Sequence, residues 1–344
     1  MLSVLLRRQS VACGGVAEYC LMITEDNQTM YFYQSTKHNI LTYYLMCLTL
    51  VFLLNNCVNT TQPYEHNPPG IATICDQEPA GSPNGNWIAY YGGSEEVGMS
   101  GLYIVTSTGT SKRYLEYLGR SPKWSPDGQS ILFRLFGGTQ LYIYDIISDE
   151  SSSITNDNLN KIDPSWHPNG ESFFYSVFSG SNDEIGIWTK NIVSGVKKRL
   201  YSGWSRFPAV HPSGDTIAFV DNTSTGDYLT LANIVSDSLV SITHVIHDDL
   251  LYSSGFKYLS YSPDGSAILF QADNTSDNEN RIYIYYPNRN NLKMIIDGGI
   301  SPAWNCDGSI VLYAMYIKNG HNVNGNGYIW SLNIETDEKT QLTY

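Results

Sequence analysis

Positive charge is scarce in this chain. Twenty lysines and arginines face 33 aspartates and glutamates, a formal net charge of −13 over 344 residues. The first 56 residues balance, with Arg7, Arg8 and Lys37 against Glu18, Glu25 and Asp26, so the excess acid lies beyond them. No basic stripe is available for a phosphate backbone, which argues against nucleic acid as a partner. Charged residues of either sign make up only 15% of the chain. Helical patterning is missing as well: beyond residue 60 no long stretch places apolar residues at i, i+3, i+4 and i+7. No Gly-x-Ser-x-Gly elbow occurs, so the hydrolase reading lacks its nucleophile. Cysteine is rare: after Cys57 only Cys75 and Cys306 follow.

What remains is a chain that is 42% apolar, with 26 tyrosines. Aromatic and β-branched residues favour strands, so the body is expected to be nearly all β.

The one long apolar run lies near the start. "ILTYYLMCLTLVFLLNNC" covers Ile40 to Cys57, and its core, Leu41 to Leu54, is 14 residues long. A membrane span needs about 20, whereas a signal-peptide core is this short. Lys37 and His38 supply the positive flank. Leu54-Asn55-Asn56-Cys57 resembles a bacterial lipoprotein processing box, with asparagine where a small residue is usual before the cysteine. Three readings stand side by side: a lipoprotein with Cys57 lipidated, a cleaved signal without lipid, and an uncleaved signal anchor. Each puts the body outside the cytoplasm. Met30 is well placed as the true start, which would make residues 1–29 an extension, 30–57 the signal, and the polar, proline-containing 58–70 a tether.

Residues 71–344 repeat one unit six times. The turn glycines are Gly85, Gly128, Gly170, Gly214, Gly265 and Gly308, at intervals of 43, 42, 44, 51 and 43. They end "SPNG", "SPDG", "HPNG", "HPSG", "SPDG" and "NCDG". Proline presets the turn, aspartate or asparagine bonds nearby backbone, and glycine takes the position other side chains avoid. Three residues on come Ile88, Ile131, Phe173, Ile217, Ile268 and Val311; two further come Tyr90, Phe133, Tyr175, Phe219, Phe270 and Tyr313. Four before the glycine stand Trp124, Trp166, Val210, Tyr261 and Trp304, and six before it Pro122, Pro164, Pro208 and Pro302. Each unit holds about four strands, the size of a propeller blade. A lone blade cannot bury its faces, and closing a ring removes exposed edges. The expected fold is an all-β, six-bladed β-propeller of four-stranded blades behind an N-terminal signal or anchor segment. The turn should join the innermost strand to the second, with Trp or Tyr wedged between blades.

The repeated "P-x-W-S-P-D-G-x-x-I-x-F" pattern resembles the propeller repeats of the TolB family, over about Ile71 to Tyr344. The resemblance implies a propeller-only relative, since no α/β domain fits between Cys57 and the first unit. It also implies a protein-binding platform in the cell envelope, periplasmic or anchored at the outer membrane by lipid or signal segment. Similar repeats occur in some sugar lyases, so a carbohydrate-active enzyme or cell-wall glycan binder with its site in the central funnel is the alternative. Clustered ionisable groups lining the channel would favour the enzyme; an uncharged aromatic rim would favour binding. The inner-strand positions read as holding few ionisable residues, which favours binding.

No residue earns a catalytic or cofactor role, and no cofactor is expected. His167 and His211 replace serine in two turns and are read as turn caps rather than a metal pair. His244 and His247 with Asp248 and Asp249 lie in "THVIHDDLLYSSGF", which accounts for the 51-residue interval. His-x-x-His followed by two acids would suit a metal on a helix; the segment is read instead as a surface insertion and the best candidate binding loop. "DNTSTGD" at Asp221 and "DNTSDNEN" at Asp273 read as hairpin loops, because they lack the spacing of a calcium loop. Cys75 precedes the first unit and Cys306 lies in the sixth; a disulfide would staple the ring shut, and two free thiols are the other reading. Metabolic labelling with a fatty acid is expected to mark the chain and to be lost in Cys57→Ser. An unlabelled protein retained in the membrane would leave the signal anchor, and an unlabelled soluble one the cleaved signal.

Overall fold

The computed structural model describes residues 7–9, 19–23, 29–32, 76–94, 99–251, 253–277, 279–317 and 326–344. The apolar run at 40–57, Cys57 and Cys75 lie outside the described residues. Among the described residues no helix is long and apolar enough to cross a membrane. The chain divides into two compact units, Met1–Pro68 and Pro69–Tyr344. In the first, β1 (Arg7–Gln9), β2 (Tyr19–Ile23) and β3 (Thr29–Phe32) pair antiparallel.

The second unit is six antiparallel four-stranded sheets. Blade 1 comprises β4 (Gln77–Gly81), β5 (Trp87–Ser94), β6 (Met99–Thr106) and β7 (Lys112–Tyr117). Blade 2 comprises β8 (Gly119–Trp124), β9 (Ser130–Leu135), β10 (Leu141–Asp145) and β11 (Glu150–Ser153). Blade 3 comprises β12 (Lys161–Trp166), β13 (Ser172–Val177), β14 (Gly186–Asn191) and β15 (Lys197–Ser202). Blade 4 comprises β16 (Ser205–Val210), β17 (Thr216–Thr223), β18 (Gly226–Val235) and β19 (Ser238–His247), followed by a 3-10 turn at Asp248–Leu251. Blade 5 comprises β20 (Ser253–Tyr261), β21 (Ile268–Asn274), β22 (Asn280–Tyr286) and β23 (Asn291–Asp297). Blade 6 comprises β24 (Gly299–Trp304), β25 (Ile310–Ile317), β26 (Asn326–Asn333) and β27 (Lys339–Gln341). The first strands of neighbouring blades pack on one another, and β24 against β4 closes the ring.

The repeats map onto this architecture as the spacing predicts. Every "PDG"-type turn joins a blade's first strand to its second, and its glycine has φ between 71° and 83°, where other residues are strained. The serine opening three of the turns bonds the aspartate or asparagine two residues on. The tryptophans before the turns do wedge between blades. The indole N–H of Trp124 donates to Ala80 O at 3.1 Å, Trp166 to Lys123 O at 3.0 Å, and Trp304 to Ser260 O at 3.3 Å. Each acceptor is in the inner strand of the preceding blade, so the indole ties two blades as it fills the gap.

One feature recurs in all six inner strands. Glu78, Ser121, Asp163, Phe207, Tyr258 and Ser301 have φ between 51° and 58°. Each precedes a proline, except Tyr258, which precedes Leu259. The ladder slips at each of these pairs, so two inner-strand residues oppose one residue of the second strand. That single residue is Tyr90, Phe133, Tyr175, Phe219, Phe270 or Tyr313, the repeated aromatic, and all six are buried. A bulge bends a strand and leaves a residue outside the ladder; proline, with no N–H to lose, suits that place.

At the junction of blades 1 and 6, Asp76 donates its backbone N–H to Gly327 O at 3.0 Å. Its side chain is only 1% exposed, and both carboxylate oxygens are buried without a hydrogen-bond partner. Burial raises its pKa to about 6, against the opposing pull of Lys112 and Thr343. A carboxyl group with a raised folded-state pKa favours folding most when protonated. Its contribution is complete below the ordinary value of 3.8 and is lost as pH rises through about 6. Asp76→Asn is expected to stabilise the propeller at pH 7 by ~1–3 kcal/mol and to remove the slope between about pH 4 and 6. Denaturant melts of both proteins across that window check this; parallel curves would show that Asp76 does not titrate with folding.

Candidate functional site

The six bulges converge on the axis. Glu78, Ser121, Asp163, Phe207, Tyr258 and Ser301 line one central cavity, with Pro79, Pro122, Pro164, Pro208, Leu259 and Pro302 beside them and Lys123 among them. The space at its narrow part is about 30 Å³, room for a few waters, and it opens to solvent at the mouth. The prolines and Leu259 therefore narrow the channel at the level of the bulges.

Side chains from one blade serve the backbone of the next. The Ser121 N–H donates to Glu78 Oε2 at 2.7 Å, and the Phe207 N–H to Asp163 Oδ2 at 3.3 Å. The Ser301 N–H donates to Gln271 Oε1 at 2.9 Å. The bulge frees these donors from the ladder, and buried donors need partners. The Arg206 guanidinium grips Asp163 with two bonds, Nε to Oδ2 at 3.0 Å and Nη2 to Oδ1 at 3.2 Å. Burial lowers the pKa of Lys123, while Glu78 and Asp163 pull it back up. Burial, reinforced by Glu78 and Asp163, pushes the Tyr258 phenol up to about 12 despite the Ser301 hydroxyl and Arg120, so it is a neutral hydrogen-bonding group at physiological pH. Ionisable groups thus gather on the inner strands more densely than expected. They sit five, seven or eight residues before the turn glycine, where the residue type varies from blade to blade.

Part of the mouth's rim, over blades 2 to 4, carries an aromatic collar. Phe136 follows β9, Phe178 follows β13, and Trp204 joins β15 to β16, so all three are on the rim that carries the second-to-third-strand loops and the blade-to-blade connections. They are 54%, 37% and 44% exposed. Phe178 and Trp204 meet edge to face at 4.9 Å. Arg206 lies over Phe178 at 5.1 Å and over Phe207 at 4.5 Å. Arg120, at the equivalent place in blade 2, lies over Tyr91 at 4.0 Å and Phe136 at 4.8 Å.

The candidate binding loop has a different build from a helix. His244 and His247 are on β19, and a bulge at Val245 puts both on the face of Tyr228. Residues three apart on a regular strand would face opposite ways. His244 stacks on Tyr228 at 4.2 Å and bonds Asp221 at 3.0 Å; His247 packs edge-on at 4.4 Å and bonds Thr225 O at 3.1 Å. They share a tyrosine and do not converge on an ion. His247, Asp248 and Asp249 do bring three ligand-type atoms within 4.8 Å and are the described residues that could hold a metal. The Asp249 N–H, however, already donates to His247 Nδ1 at 3.1 Å. Asp221 is tied to Tyr201 and His244, and Asp273 to Lys257, in hairpins that match the loop reading.

His167 and His211 do not meet either. Each Nδ1 accepts the N–H two residues on, at 3.1 Å, as a turn cap. Each ring then reaches the turn of the following blade, His167 to Gly214 O at 3.2 Å and His211 against Gly265. Cys306 is exposed, and its sulfur lies against Gly85 of blade 1, across the ring closure. Its proposed partner Cys75 is outside the described residues.

No curated protein sequence matches the chain. Among solved structures, TolB from Acinetobacter baumannii is similar at TM-score 0.59 and 15% identity, covering 98% of this chain and 78% of that one. Oligogalacturonate lyase from Vibrio parahaemolyticus is similar at TM-score 0.52 and 13% identity, with 80% of each chain covered. Kuenenia stuttgartiensis hydrazine synthase is similar at TM-score 0.53 and 16% identity, covering 79% of this chain and 80% of that one. At these identities the three likenesses by themselves show the fold alone. The sequence profile of the TolB beta propeller domain, in contrast, matches residues 77–254. That match spans more than half of the chain and runs through four of the six blades, and the chain belongs to the TolB β-propeller domain family.

Proposed function

We propose that this propeller is a non-catalytic binding module, held outside the cytoplasm by its N-terminal signal or a lipid on Cys57, that docks a protein of the cell envelope on its channel mouth. The collar of Phe136, Phe178 and Trp204 carries this reading. Large exposed aromatics backed by arginine are what protein interfaces use as anchors, and here they stand on the rim of blades 2 to 4, beside a narrow central cavity. Membership in the TolB propeller family supports a protein partner. The ionisable cluster of Glu78, Lys123, Asp163, Arg206 and Tyr258 favours the second reading, a glycan site or lyase at the mouth. Asp163 and Arg206 already satisfy each other and Glu78 holds a backbone N–H, which leaves little free to move a proton.

The test is a crosslinked capture from native envelopes with the full chain as bait. One dominant protein is expected, and it should be lost when Phe178→Ala and Trp204→Ala are combined. Surface changes of this kind alter stability by about 0.5 kcal/mol, so the folded ring survives them. Capture that persists unchanged in the double variant moves the docking face elsewhere. Retention of oligogalacturonate with release of unsaturated uronate ends, and no protein, replaces this reading with the enzyme.

A further inference from the structure

Two arginines hold equivalent places at the mouth, eight residues before the turn glycines of blades 2 and 4. Arg206 is completed from within, by both oxygens of Asp163 in the preceding blade. The counterpart of Asp163 beside Arg120 is Glu78, and that carboxylate is turned to the Ser121 N–H and hydroxyl, at 2.7 and 3.4 Å. Arg120 has no ion pair or hydrogen bond among the described residues, and its Nε is buried without a partner. It is nevertheless held against two rings, Tyr91 at 4.0 Å and Phe136 at 4.8 Å. Stacking of this kind leaves the edge of the guanidinium plane for hydrogen bonding. It is also next in the chain to Ser121, which lines the central cavity.

We propose that Arg120 is the anchor for a carboxylate of the docked protein, an Asp or Glu side chain or a chain terminus, seated beside Phe136 in the way Asp163 is seated on Arg206. This deepens the docking reading above and rests on it. An unpaired, partly desolvated guanidinium is costly until a carboxylate completes it, and the Arg–carboxylate fork supplies direction as well as energy. Charge explains the place. A chain of net −13 repels an acidic partner over most of its surface. At the mouth the local acids are engaged by Arg206 and by backbone, and Arg120 has no acid of its own. A partner segment with apolar residues flanking an acid matches Phe136, Phe178 and Trp204 around the cation.

The probes are two capped peptides, Phe-Asp-Gly-Asp-Phe and its twin with Asn for Asp, with trigalacturonate as the glycan control. Binding to the full chain is followed by NMR at the Trp204 indole. The Asp peptide is expected to bind at least about tenfold more tightly than its twin, a gain that salt reduces. Arg120→Gln should lower the Asp peptide to the level of the twin and leave the twin unchanged. Arg120→Lys, which keeps the charge and loses the fork, should fall between. Equal binding of the two peptides, or an Asp peptide indifferent to Arg120→Gln, removes the anchor; if Phe178→Ala still weakens both peptides, the docking face stands without it. Trigalacturonate bound in preference to either peptide transfers Arg120 to a glycan site and overturns the proposal. No saturation by any probe up to ~10 mM, an affinity weaker than about −3 kcal/mol, overturns anchor and docking face together.

Discussion

Everything in this molecule depends on a bulge repeated six times. Left-handed backbone costs a residue with a side chain about 1 kcal/mol or more, and no glycine is used at Glu78, Ser121, Asp163, Phe207, Tyr258 or Ser301. The conformation persists because its surroundings leave no other choice. A buried aromatic of the second strand stands opposite each bulge, five of the six are followed by a proline that gives up no ladder bond, and in three blades a side chain from a neighbouring blade meets the displaced N–H. Remove the bulges and six straight strands would have to crowd one axis. With them, each strand bends away as it nears the axis, and the ring closes around a plug of prolines and one leucine.

The same constraint explains what the sequence revealed and what it hid. The turn glycines and the Tyr or Phe opposite each bulge recur in every blade, and the tryptophans in three, because their environments repeat: a left-handed turn, a fully buried slot, an inter-blade gap. Periodicity therefore exposed the fold almost completely. The site is the opposite case. The residues at the bulge line a cavity and meet different partners in different blades, so they vary as Glu, Ser, Asp, Phe, Tyr and Ser and carry no repeated residue type. The fixed offset was itself the available signal, since all six fall seven residues before a turn glycine. The collar was harder still: Phe136, Phe178 and Trp204 come from loops and a connection whose lengths differ.

The histidine-rich insertion shows a different limit. Spacing alone implied a helix if His244 and His247 were to act together. The structure brings them to one face by a bulge instead, an extra residue at Val245 that reverses the alternation of a strand. Nothing in "HVIH" announces that reversal, because a bulge is decided by how two strands with unequal numbers of residues are forced to pair. What the pair does is hold Tyr228 and Asp221, so the long insertion extends and braces the outer part of blade 4 rather than forming an ion site between its two histidines.

A narrow channel also restricts the chemistry that the mouth can do. Catalysis on a sugar would need a cleft deep enough to exclude water and several groups free to change protonation. The cavity behind the mouth holds only a few waters, and the acids nearest it are committed to Arg206 and to backbone donors. Binding makes lighter demands: a rigid frame, exposed apolar area and one or two charges that lack a partner. The ring provides the frame, the collar the area, and the asymmetry between Arg120 and Arg206 the unpaired charge. That asymmetry matters because the backbone of the repeat is the same in every blade. In a sixfold architecture, specificity has to come from the positions where one blade departs from another, and at the channel mouth the unmatched arginine of blade 2 is such a departure.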